Sequence, residues 1–323
     1  LMRQMKNDIS VVGYLFSLGS GFNELQKRVT GPNSAHPGTN FIKGRISVAT
    51  DEKAMNVVDV EFRYVPEFQK DGSPNNVYKV LSDIIDEAKT YEHCGTDATM
   101  VRIFGSVEAN DFTNRNGEDV TSKMIRGGFI SMDVRQNPNL EATFDTDILI
   151  AGVTEREVEG GEDFAQIRGY VFNFRGDVIP VTYDVHNPAG ANYFLGLDAS
   201  SSNPVLTEVK GKIISSTIER EIEEESAFGD PIVRKVSRSV RSWDVFWAKP
   251  DTYEWDDEST ITKKEFKEAL KAREERLAAD KKRREEYLAS RDGNVGFPKS
   301  KPAAKEVAKV VFDEEDDNDD FPF

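Results

Sequence analysis

Two consecutive five-stranded barrels, then a charged helix and an acidic tail, are predicted by three observations. Residues 1–138 show three strand patterns, a helical pattern and two further strand patterns, in that order. Residues 139–250 repeat this order loosely. From residue 251 the composition changes twice, first to a dense mixture of Lys, Arg and Glu at helical spacing, then to carboxylates. The expected class is all-β dominated, with segments 1–138, 139–250, 251–292 and 293–323.

The first unit opens with a β-rich run over 9–16, closed by Gly19-Ser20-Gly21. A polar loop over 31–38 precedes a strand over 41–48. Residues 57–65 alternate, with Val58, Val60, Phe62 and Tyr64 on one face. Over 76–91, Val77, Val80, Leu81, Ile84, Ile85 and Ala88 recur at helical spacing. Strands over 99–107 and 123–134 flank the turn-rich 114–119. This β-β-β-α-β-β order is that of the OB-fold, a five-stranded Greek-key barrel that commonly binds oligonucleotides.

In the second unit, strands are expected over 148–158, 164–174, 178–185, 205–222 and 232–247. Residues 186–196 stand where the helix belongs but show no helical pattern. Ile42-Lys43-Gly44-Arg45-Ile46 recurs as Ile167-Arg168-Gly169-Tyr170-Val171, and loosely as Val209-Lys210-Gly211-Lys212-Ile213. A glycine inside a strand marks a bulge or sharp curvature, which a small barrel needs.

Residues 262–290 read as a helix opened by a Thr262/Glu265 capping box. Phe266, Leu270, Leu277 and Leu288 give only a thin apolar seam. Such a helix is either solvated and laced with i,i+4 ion pairs, or docked on the body, on a partner, or on DNA phosphates through Lys281, Lys282, Arg283 and Arg284. Seven of the eleven residues over 313–323 are acidic, and a run of carboxylates cannot bury a core, so disorder is expected there. The chain nevertheless finishes on Asp319, Asp320, Phe321, Pro322 and Phe323.

Those last five residues resemble the acidic tip of bacterial and phage single-stranded DNA-binding proteins, which ends Asp-Asp-apolar-Pro-Phe. The resemblance implies a chain that coats single-stranded DNA during replication, recombination and repair. It also implies recruitment of proteins such as a polymerase, helicase, primase or recombinase through the tip. A phage-encoded member suits the length of 323 residues.

Composition sets limits on that expectation. Net charge is −16 with a pI near 4.8, and residues 1–250 alone hold 37 acidic against 27 basic residues. Phosphate binding therefore requires local clustering of cations. The single cysteine, Cys94, excludes an intramolecular disulfide, and no apolar run reaches a membrane span. No signal peptide is visible, so a cytoplasmic location is expected, in the host if phage-encoded. Leu1 precedes Met2, and the natural start is expected at Met2 or Met5.

No phosphate loop is present, and the three histidines, His36, His93 and His186, are scattered. His93-Cys94 is too little for a structural zinc. Asp145 and Asp147 stand at strand spacing, as nuclease carboxylates can, but strand-edge solvation explains them better. No catalytic constellation, metal site or cofactor site is expected, and the chain reads as non-enzymatic.

Single-strand binding needs cations for phosphates and rings for bases. Arg168, Tyr170, Phe172 and Phe174 share one strand face, either as a stacking platform or packed beneath a loop or the other domain. Lys43 and Arg45 project together, and Arg63 can join them from the next strand. Lys210 and Lys212 repeat the arrangement, while Arg234, Lys235, Arg238 and Arg241 form the densest basic strand. Trp243, Phe246 and Trp247 close that segment, the two tryptophans reading as core, and Phe62 and Tyr64 read as filling of the first barrel. The rival readings are a protein–protein adaptor built on OB-like barrels and a DNA-processing enzyme. Convergence of Lys43, Arg45, Lys210, Lys212 and Arg238 in one groove favours DNA binding, and their dispersal favours the adaptor.

Overall fold

The computed structural model describes residues 5–114, 117–135, 137–157, 163–224, 232–254 and 261–292, and no side chains of 217–224, 232–239 and 290–292. Strands β1 (Asn7–Ser17), β2 (Gln26–Val29), β3 (Asn40–Ala49) and β4 (Val57–Pro66) come first, followed by helices α1 (Asn76–Glu87) and α2 (Tyr91–Cys94). Strands β5 (Met100–Thr113), β6 (Asp119–Ser131), β7 (Glu141–Arg156), β8 (Phe164–Phe172) and β9 (Val178–Val185) lead to α3 (Pro188–Leu195). Strands β10 (Val205–Glu224) and β11 (Ile232–Ala248) and helix α4 (Lys263–Asp292) complete the described chain.

Two five-stranded barrels result. In the first, β1 pairs with β3, β3 with β4, β4 with β6 in parallel, β6 with β5, and β5 back with β1. In the second, β7, β8, β9, β11 and β10 close in the same order, again with one parallel contact, β9 to β11. This is the OB-fold circuit twice over. β1 and β7 also pair antiparallel, so one sheet runs through both barrels.

Period-2 alternation builds each wall. Along β3, Ile42, Ile46 and Val48 point inward, while Lys43, Arg45 and Ser47 point outward. Each inward aliphatic side chain contributes about 1.5–3 kcal/mol through burial. Leu81 and Ile84 of α1 belong to the same apolar cluster, and Asn75 caps the helix by accepting a hydrogen bond from Val77 N–H. The second core is aromatic: the Phe144, Tyr183 and Trp243 rings lie 4.6–6.0 Å apart.

The repeated strand glycines sit where atoms crowd. The register shifts at Gly44, whose φ is +149° and where a Cβ would lie 2.4 Å from the Glu24 carbonyl oxygen. At Gly211, also beside a register shift, a Cβ would lie 2.2 Å from the Phe144 ring. Glycine is the residue that admits both approaches.

The structure departs from expectation in several places. β4 carries one extra residue between Phe62 and Val65, opposite Ile42 to Gly44, which breaks its alternation, so Phe62 fills the barrel but Tyr64 turns outward, 45% exposed. The α1 helix stops at Glu87 because Lys89 bonds with Thr99 at the approach to β5. β7 starts at Glu141, seven residues earlier than its pattern suggests. Residues 186–196 do contain a helix, α3, capped by Asn187 and started by Pro188. Trp243 is core as expected, whereas Phe246 and Trp247 are exposed.

The barrels are fastened beyond the β1–β7 seam. Asn7 donates to the Val107 and Phe172 carbonyls. Asn56 reaches β10, accepting from Ser215 N–H and donating to the Ile213 carbonyl. Lys123 of β6 donates to the Thr182 carbonyl of β9 at 2.8 Å. Among the described residues, no helix is long and apolar enough to cross a membrane.

Candidate nucleic-acid interface

OB-folds present ligands to the outer face of their second and third strands. Here those are β3–β4 and β8–β9. A cleft of about 1000 Å³ lies between the barrels, and its walls come from both faces: Arg45, Asp59 and Glu61 on one side, Gln166, Arg168 and Tyr170 on the other. Lys123 and Phe112 of the β5–β6 hairpin and Arg241 of β11 complete the lining relevant to charge and stacking.

The acids on the walls are already engaged. Asp59 pairs with Arg45 at 3.3 Å, and Glu61 pairs with Arg63 at 3.4 Å. Asp184 accepts from Ser242 Oγ at 2.7 Å and from Gln166 Nε2 at 3.3 Å. Lys123 also stands 5.6 Å from the centre of the Trp243 ring. Arg168 and Arg241 are exposed, and Arg168 has no ion-pair partner among the described residues. The cleft therefore offers cations, within a chain that is acidic overall.

The sequence-predicted cations do not converge. Arg45 and Arg168 line the cleft, while Lys43 lies on β3 outside its lining. Arg63 faces a separate recess of about 290 Å³. There Arg63, Arg126, Arg175 and Arg276 are matched by Glu108, Asp111, Asp177 and Asp280, so no net charge is left for an anion. Lys210 is tied to Asp145 at 2.9 Å and stands 5.1 Å from the centre of the Trp247 ring. Lys6 joins that group through Glu208 at 2.7 Å. The Asp145 hydrogen bond raises the Lys210 pKa, and the Glu208 hydrogen bond raises that of Lys6. Burial opposes ionisation of Glu208, yet Lys6 outweighs it and holds the carboxyl below its usual range. Asp147 accepts from Lys6 N–H at 2.8 Å, so both strand carboxylates serve the fold. Lys212, one strand position pair from Lys210, shares that side of the barrel. The side chains of Arg234 and Arg238 and the tip residues Asp319, Asp320, Phe321, Pro322 and Phe323 lie outside the described residues.

The aromatic row on β8 is split. Arg168, Tyr170 and Phe172 do face outward together, but α4 covers the aromatic end. Phe172 is 1% exposed, packed with Met5, Leu149 and Phe266, so its ring is closed to a base. Phe266 lies 5.4 Å from Tyr170 and 6.3 Å from Phe172. Phe174, beyond the strand, is exposed beneath the Arg175 guanidinium.

Helix α4 is docked, and the Thr262/Glu265 capping box forms as its sequence predicts. The Thr262 backbone N–H and hydroxyl bonds hold the Glu265 carboxyl below its usual pKa. Arg273 forks onto Asp111 at 2.6 and 3.3 Å, and Arg276 spans Asp111 and Asp177. Lys281 and Arg284 pair with Asp119, so these two cations face protein carboxylates. Bonds from Thr113 and Arg284 lower the Asp119 pKa to about 2. Burial of Phe266 contributes about 1.5–3 kcal/mol, whereas each exposed pair adds about 0–1 kcal/mol. The helix is held firmly by Phe266 and by the buried Arg273 fork, and weakly along the rest.

The sequence pointed away from several of these residues. Lys123 enters the cleft only through barrel closure, whereas Arg241 belongs to the basic strand that the sequence did mark. Tyr64 lies outside because of a bulge and packs tilted against Phe41, with ring centres 4.9 Å apart. Among the described residues, no group of His, Cys, Asp and Glu is placed to hold a metal ion.

Two crystal structures of single-stranded DNA-binding protein from Thermus aquaticus, the wild type and a deletion mutant, are similar to this chain. Each gives a TM-score of 0.47 at 11% identity over 79% of this chain, with 97% and 98% of their own chains covered. Likeness at that level does not bear on function. No curated protein sequence matches the chain. The YorF family model matches residues 23–283, from the approach to β2 into α4, and the chain belongs to the YorF family.

Proposed function

We propose that this chain is a non-enzymatic, cytoplasmic single-stranded DNA-binding protein acting in DNA replication or recombination, in a phage setting. The observation that carries the reading is the cleft between the barrels. Strands two and three of both OB-folds border it, and Lys123, Arg168 and Arg241 stand on its walls with Tyr170 and Phe112. The acidic segment 319–323, which closes on Phe321, Pro322 and Phe323, supports recruitment of replication or recombination proteins.

Fluorescence titration with single-stranded and duplex oligonucleotides at two salt concentrations tests the binding. Single strands are expected to bind more tightly, with about 4–16 nucleotides per barrel and affinity falling with salt. Equal affinity for duplex contradicts the reading. For the tip, pull-downs with full-length and Phe323-deleted chain are expected to differ in the partners retrieved while DNA affinity stays the same. Identical partner sets contradict recruitment.

A protein–protein adaptor is the second reading. The dispersal of Lys43, Lys210 and Lys212 and the acidic body favour it. Absence of single-strand binding at low salt would select it.

A further inference from the structure

We infer that the face of β8 beneath α4 is a second nucleic-acid face, held by α4 in the free chain and released when a single strand displaces the helix. This rests on the single-strand reading above. Arg168, Tyr170 and Phe172 stand in one outward file, and Tyr170 belongs to both the cleft wall and the patch under α4. A strand lying in the cleft thus reaches the edge of the covered patch.

The helix offers chemical equivalents of what it excludes. The Phe266 ring is tilted against Tyr170 at 57° and meets Phe172 nearly edge-on at 71°, occupying the space a base would take. Beyond Phe266, Ile261, Ala269 and Leu270 supply the remaining apolar contact. The rest of the attachment is ionic. Asp111, Asp119 and Asp177 hold Arg273, Arg276, Lys281 and Arg284. Phosphodiesters carry the charge and the paired oxygens that such guanidiniums accept. An arriving strand can therefore put a base on β8 in place of Phe266, while its phosphates compete for the helix cations and draw them off the three aspartates.

Hydrogen–deuterium exchange of the full chain, with and without oligo-dT, reads the helix directly. Residues 263–292 are expected to exchange faster once oligo-dT is bound. Phe266→Ala is expected to raise oligo-dT affinity about three- to tenfold, by removing the occupant that holds the competent face closed. If that variant does not fold, as judged by its thermal melt, Asp119→Asn loosens the helix from the ionic side while leaving its cations in place, and is expected to shift affinity the same way. Unchanged or slower exchange of α4 with oligo-dT bound overturns the inference, as does unchanged affinity in the folded variant. Failure of the wild-type chain and both variants to bind oligo-dT instead overturns the single-strand reading on which it rests.

Discussion

The two barrels share a circuit but treat their ligand faces differently. On the first, the exposed Tyr64 ring packs on the half-buried Phe41 beside Lys43 on the outer face of β3–β4. On the second, Tyr170 and Phe172 occupy the outer face of β8 but lie under Phe266 of α4. The same residue types thus serve two purposes. An aromatic ring on an outer strand face is available for a base only where nothing else has packed on it. The strand pattern alone does not distinguish the two cases.

The largest expected effect separates them by stability. Phe172→Ala empties a buried site and should cost about 3–5 kcal/mol, while Tyr64→Ala removes an exposed ring and should stay within about 0.5 kcal/mol. Denaturant unfolding measures both. In oligonucleotide titrations Tyr64→Ala should weaken binding by about 1–3 kcal/mol, the value of one base stack. A stable Phe172→Ala variant, or Tyr64→Ala with unchanged binding, would break the comparison.

A smaller effect sharpens it through α4. The Asp119 carboxyl is lowered from 3.8 to about 2 in the folded chain by Thr113 and Arg284. A depressed carboxylate contributes stability that is present above its unfolded pKa and lost as pH falls through the folded one. The contribution should therefore be complete above about pH 4 and vanish towards pH 2. Thermal melts across that window should converge for the wild type and Asp119→Asn at the acid end and diverge above it. Parallel curves would show that the far end of α4 is not held by this group.

Much of this was legible in the sequence, for identifiable reasons. The strand order and α1 follow from alternation and from the spacing of Leu81 and Ile84, which are local signals. The capping box at Thr262 and Glu265 is local as well. Helix α3 escaped because it is eight residues long and buries one side chain, Phe194, although Asn187-Pro188 marks its start. Tyr64 was misplaced because one bulge reverses the side on which every later residue of a strand lies. Whether α4 is docked or solvated could not be decided from the sequence, for a different reason. Its cations meet Asp111, Asp119 and Asp177, which belong to the β5–β6 hairpin and the approach to β9, far from the helix in sequence. Likewise Arg168, Lys123 and Arg241 come from three strands, and no local pattern joins them.

The central claim is that cations of the inter-barrel cleft, rather than those elsewhere on the barrels, contact the phosphates of a single strand. The salt dependence of oligo-dT affinity tests it in two double variants. Arg168→Ala with Arg241→Ala removes two exposed cations from the cleft, whereas Lys210→Ala with Lys212→Ala removes two from outside its lining. Each phosphate contact on a single strand adds about 0.7 to the slope of log affinity against log salt. The cleft pair should therefore flatten the slope by about 1.4 if each cation meets one phosphate, and the Lys210/Lys212 pair should leave it unchanged. A flattened slope in the lysine variant with an unaltered slope in the arginine variant would contradict the cleft as the binding site.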